Sequence, residues 1–115
     1  MKHPNSEQDE AIQRFIRLVL FQAQQDRASE LVIGIASPSG VPIKYKVEDT
    51  WHEMPPFPCN IRPGVVAELV RLASFRAGQI PGEGVLDESF SGTGLRWVVA
   101  ITSAEGECLL KRVDE

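Results

Sequence analysis

Two stretches of the chain hold residues that could do chemistry. In "KVEDTWHEMPPFPC", residues 46–59, His52 and Glu53 precede Cys59 by a few positions. A cysteine beside a histidine can act as a nucleophile when a third group orients the base and donors hold the developing charge. The sequence around His52 supplies neither. A structural zinc wants four ligands, and this stretch offers fewer. In "VLDESF", Asp87 and Glu88 are adjacent carboxylates. Neighbours along a strand point to opposite faces, so the two cannot converge on one bond. "SGTGLRW" and "SPSGVP" carry glycines as a phosphate-cradling loop does. They lack the lysine, and strand-like sequence follows where a helix is needed. No catalytic residue, metal site or cofactor is expected, and the chain does not read as an enzyme.

The elements that carry these residues fit one domain. The chain has 115 residues, 43% apolar and 24% charged, which is the balance of a globular protein with a core. The formal charge is −4 and the basic residues are scattered, so no nucleic acid partner is expected. Cys59 and Cys108 stand far apart with no Cys-x-x-Cys, the usage of idle thiols in a reducing compartment. The first residues, "MKHPNSEQDE", hold no apolar segment of a signal peptide. No apolar run approaches the roughly 20 residues a bilayer span needs. A cytoplasmic protein without membrane insertion is expected.

Residues 1–5 read as a flexible leader and residues 6–115 as a single α+β domain. Ser6 offers a helix N-cap, with Asp9 three residues on. Ile12, Phe15, Ile16, Val19, Leu20 and Ala23 recur at steps of three and four, the stripe of an amphipathic helix over about 7–26. Ala11, Leu18 and Phe21 fall off that stripe and form a smaller apolar face, covered by a loop or offered to a partner. "ELVIGIAS", 30–37, reads as a strand covered on both faces. Ile43, Tyr45 and Val47 alternate with Lys44, Lys46 and Glu48, a strand with one wet face. Glu48-Asp49-Thr50 turns the chain, and Trp51–Met54 runs back until Pro55, Pro56 and Pro58 end it. Trp51 is expected in or near the core, with His52 and Glu53 at its rim.

Pro63 opens a second helix whose stripe is Val66, Leu69, Val70 and Ala73, with Gly78 as its C-cap. Phe75 projects opposite the stripe, either tucked under the next loop or exposed. A strand over about 84–90, a strong strand over 95–102 with Leu95, Trp97, Val99 and Ile101 on one face, a turn at 104–107 and a last strand complete the chain. The expected fold is α+β: a mostly antiparallel sheet of about six strands with helices on one face, in the order helix, three strands, helix, three strands.

"DRASELVIG" leading into a strand, "IKYKVEDTWHEMPPFP" as a hairpin running into prolines, "RLASFRAG" closing a helix and "LRWVVAITSAEGECLLKRV" at the end come in sequence. This order resembles the domain just ahead of the motor in the ATPases of the type II secretion and type IV pilus superfamily, over about Arg27 to Val113. The resemblance implies a PAS-like fold and a docking role against motor domains of the same or a neighbouring subunit. No P-loop occurs in the sequence, so no ATP hydrolysis is carried over.

Two functions follow as expectations. The first is a non-catalytic interaction or scaffold domain, binding a protein partner or itself as a homodimer. Its partner-binding residues would be Leu18, Phe21, Phe75 and the basic Lys44 and Lys46, the lysines being otherwise ordinary solvated side chains. The alternative is a small-molecule-binding sensory domain whose pocket would be lined by Tyr45, Trp51 and Trp97.

Overall fold

The structure, a computed structural model, describes residues 6–75, 80–103 and 105–113. It is an α+β domain. Helix α1 (Ser6–Gln25) leads into β1 (Glu30–Ile33), β2 (Val41–Val47) and β3 (Thr50–Phe57). After a single 3-10 turn (Cys59–Ile61), α2 (Arg62–Leu72) leads into β4 (Gly82–Phe90), β5 (Thr93–Ile101) and β6 (Cys108–Arg112). The six strands form one sheet in the order β3-β2-β1-β6-β5-β4, and every pairing is antiparallel. Two three-stranded meanders thus meet where β1 pairs with β6.

One face of the sheet is covered. The buried strand residues all share one parity: Leu31 and Ile33, Val41 and Ile43, Leu95, Trp97, Val99 and Ile101, Cys108 and Leu110. Against them lie Ile12, Ile16, Leu20 and Ala23 of α1 and Val65, Val66 and Leu69 of α2, in one continuous core. Each such valine, leucine or isoleucine side chain, fully withdrawn from water, contributes about 1.5–3 kcal/mol. Phe15 closes the β3 end of the core edge-to-face on Phe57, 5.4 Å between ring centres. The expected double covering of β1 is corrected: Val32 and Glu30 are only half-buried. Both helices pack on the same side, which leaves the second face of even this central strand without a layer above it.

Both helices end in the same way. Past α1, the N–H of Ala28 donates to the carbonyl of Ala23 and that of Arg27 to Gln24. Past α2, Phe75 donates to Val70 and Ser74 to Arg71. These are paired Schellman hydrogen bonds, which need a left-handed residue just past the helix. Arg27 (φ 63°) and Ser74 (φ 55°) take that conformation without being glycine. The expected C-cap at Gly78 lies outside the described residues, and α2 itself stops at Leu72. Its early stop also decides Phe75. The reversal at Ser74 swings Phe75 inward, and it is buried in the core, not on an exposed helix face.

The prolines do not end β3, which runs through Pro55 and Pro56 to Phe57. Because β3 is an edge strand, an N–H missing on its outer side breaks no ladder bond. The register shift against β2 between Val41 and Ile43 absorbs the remainder.

Candidate functional site

A concavity lies on the outer flank of α2. The helix presents Arg62, Pro63, Val66, Ala67 and Val70 to it, a spacing that keeps them along one side of a cylinder. Ile35 and Ala36, just past β1, form the facing wall, with Cys59, Ile80 and Glu105 around the rim. The cavity measures about 670 Å³, within the range that takes a small molecule or an inserted side chain. Its lining is mainly aliphatic, and Ile35 at its lip is 59% exposed. An exposed isoleucine beside an apolar hollow is the kind of surface that binding covers.

Arg62 holds this region together. Its guanidinium is buried, and its Nε donates to the carbonyl of Gly34 at 3.1 Å while Nη2 donates to that of Gly106. One side chain in the first turn of α2 thereby ties the segment after β1 to the β5–β6 turn. Such charge-assisted bonds are worth more than neutral ones. The Cys59 thiol donates to the carbonyl of Ser37 at 2.8 Å, fixing the same segment from the other end. The walls are therefore held by polar contacts while the interior surface stays apolar.

The expected site residues do not gather here. Leu18 is 47% exposed on α1, but Phe21 packs edge-to-face on Phe90 of β4, 5.6 Å between centres. The second face of α1 is thus partly covered from within. Phe75 is buried, so its expected place on a partner surface is corrected. Lys44 and Lys46 lie on the uncovered sheet face among acids: Lys46 is 3.5 Å from Glu30 and 3.8 Å from Asp49, and Lys44 is 4.0 Å from Glu53. They form part of a mixed-charge surface.

The three aromatic residues expected to line a pocket do not gather, and the sheet itself separates Trp51 from Tyr45 and Trp97. Trp97 is sealed in the core at 0% exposure. Trp51 is 46% exposed on the opposite face, with the Lys46 ammonium 5.9 Å from its ring. Its expected place in the core is corrected. Tyr45 stacks on His52 at the sheet margin, 5.4 Å between centres. Burial, and then the carboxylate of Asp26, push its phenol above the usual range.

His52 and Cys59 are not brought together as a reactive pair: His52 stacks on Tyr45, and the Cys59 thiol turns to Ser37. Asp87 and Glu88 diverge, Asp87 toward Arg96 (4.0 Å) and Glu88 toward Arg17 of α1 (2.8 Å). Among the described residues no three of His, Cys, Asp and Glu gather as metal ligands would. Likewise, no helix among them is long and apolar enough to cross a membrane.

Apart from Cys59, weighed there as a nucleophile, the cavity residues were not singled out from the sequence as a site. The signal present was Ile35, an apolar residue placed beyond the last strand residue, Ile33. A second was Ala67, which lies beside the stripe of Val66, Leu69, Val70 and Ala73 and widens the apolar surface of α2. What fold and site define is a two-layer α+β domain with an apolar hollow on the flank of one helix. No protein-family model matches the chain, and no curated protein matches it.

Proposed function

We propose that this chain is a non-catalytic interaction domain that works through protein–protein contacts, on the pattern of the domain ahead of the motor in secretion and pilus ATPases. The observation that carries the reading is the cavity on α2. It is aliphatic, its walls are pinned by Arg62 and Cys59, and an exposed Ile35 stands at its lip. A pre-formed hollow of this kind receives an apolar anchor side chain, the feature on which binding energy concentrates at interfaces. The helix–three strands–helix–three strands order supports the resemblance read from the sequence. The partner on this reading is a motor domain, of the same chain or a neighbouring one, in the cytoplasm, where free thiols such as Cys59 and Cys108 persist.

The small-molecule alternative draws less support, since Tyr45, Trp51 and Trp97 enclose no common space. Ala67 is exposed on the cavity wall, so Ala67→Arg fills the hollow without touching the core. The variant should melt like the parent and lose a protein that the parent retains in quantitative co-purification. A thermal-shift screen in which a metabolite stabilises the parent, with no protein lost by the variant, would favour the sensory domain instead.

A further inference from the structure

The two edges of the sheet are built differently. Edge strand β3 contains Pro55 and Pro56, which lack the N–H that a new strand would use, and its register breaks against β2. Edge strand β4 contains no proline and pairs with β5 without interruption from Gly82 to Phe90. Its outer side therefore carries a continuous row of backbone donors and acceptors that no strand among the described residues pairs. On the uncovered face β4 shows Glu83, Val85 and Asp87 in alternation, with Val85 45% exposed between the two acids and Asp87, itself largely exposed, 4.0 Å from Arg96 of β5. Its third acid, Glu88, turns to the helix side and is held by Arg17. The strand has no basic residue.

We propose that the β4 edge takes up an extended basic segment of a partner protein as a seventh, antiparallel strand. Backbone hydrogen bonds supply affinity in such an addition and alternate side chains supply selectivity. A residue placed opposite Val85 brings its neighbours two positions away against Glu83 and Asp87. The complementary pattern is thus basic–x–apolar–x–basic, with all three side chains on one face. A second copy of this chain fits worse. An antiparallel β4–β4 pair centred on Val85 sets Glu83 of one copy against Asp87 of the other, and like charges directly opposite are destabilising. The inference rests on the protein-binding reading above but not on the α2 cavity.

The test uses the full chain and a fluorescein-labelled peptide with a Lys-Thr-Leu-Thr-Lys centre, followed by anisotropy. Saturable binding is expected. It should weaken at least tenfold with Glu83→Lys/Asp87→Lys, and equally when alternate peptide amides are N-methylated on the bonding side. Hydrogen exchange at 82–90 should slow with peptide bound. No binding, or binding indifferent to both changes, overturns the proposal, as does a chain dimer in light scattering that Val85→Lys dissolves. Peptide binding abolished by Ala67→Arg but not by the β4 changes moves the peptide to the α2 cavity, and also overturns it. A chain that loses its protein on Ala67→Arg while binding no peptide keeps the interaction reading and removes this one.

Discussion

Trp97 and Trp51 lie on opposite faces of one sheet. Trp97, in the middle of β5, is sealed beneath the helices, while Trp51, near the start of β3, leans on Lys46 in solvent. Residue type does not separate them, and neither does strand type. What separates them is parity. β5 alternates so plainly that Leu95, Trp97, Val99 and Ile101 assign themselves to the core. In β3 the face depends on how many residues make the preceding turn. The turn is two residues, Glu48 and Asp49, both left-handed (φ 49° and 68°), and pairing resumes at Val47↔Thr50. Trp51 is thereby set opposite Lys46, on the wet face, and His52 opposite Tyr45. A three-residue turn through Thr50 would put Trp51 opposite Val47, with the apolar side chains. One residue of slip moves every side chain to the other face.

The contrast between faces can be broken most directly by truncating the two tryptophans. Trp97→Ala removes a fully enclosed ring and should cost about 3–5 kcal/mol. Trp51→Ala should stay within about 0.5 kcal/mol, as surface changes do. Urea unfolding followed by circular dichroism measures both, and comparable losses at the two sites would refute the assignment of faces.

Glycine sharpens the comparison at smaller scale. A Cβ on Gly84, on the covered side, would sit 2.1 Å from the carbonyl oxygen of Ala73, backbone that cannot swing away. A Cβ on Gly94 meets nothing within 4 Å. Gly84→Ala should therefore cost about 1–3 kcal/mol, the usual penalty of overpacking, and Gly94→Ala should leave the unfolding midpoint nearly in place. A melt of Gly84→Ala that matches the parent would mean that the end of α2 does not press on β4.

The smallest effect is a tilt of stability at alkaline pH. Burial pushes the Cys108 thiol up, against a lesser downward pull from the charge of Arg62. Above about pH 8.5, the range of a free thiol, the unfolded chain ionises there while the folded chain stays protonated. The unfolded state then binds fewer protons, so stability falls as pH rises. Tyr45, also pushed up, adds to the fall near pH 10, the range of a free phenol. Cys108→Ala should flatten the alkaline limb of a stability–pH curve. Leu109→Ala, one residue along and on the open face, should leave its slope alone; equal slopes in parent and Cys108→Ala would contradict the account.

Much of the fold was legible because its signals are local. The three- and four-residue spacing of Ile12, Ile16, Leu20 and Ala23 made α1 readable, and alternation made β2 and β5 readable. The end of α2 was not, because nothing in "RLASFRAG" marks Ser74 for a left-handed turn; hydrogen bonds back to Arg71 and Val70 hold it there. The run through Pro55 and Pro56 was not, because whether a strand lies at an edge is a property of the assembled sheet. The cavity was least legible of all, since Ile35, Ala67 and Glu105 share no pattern along the chain.

The amino-acid sequence by itself determined which segments are helix and which are strand, their order, and the apolar stripe that each must hide, because periodicity acts over a few neighbouring residues. Only the tertiary structure decided which face of the sheet stays bare, where Phe75 and Trp51 end up, and that α2 shares a hollow with the end of β1. Those outcomes depend on turn lengths, edge positions and distant contacts, such as Arg62 on Gly34 and Gly106, which exist only once the chain has closed on itself.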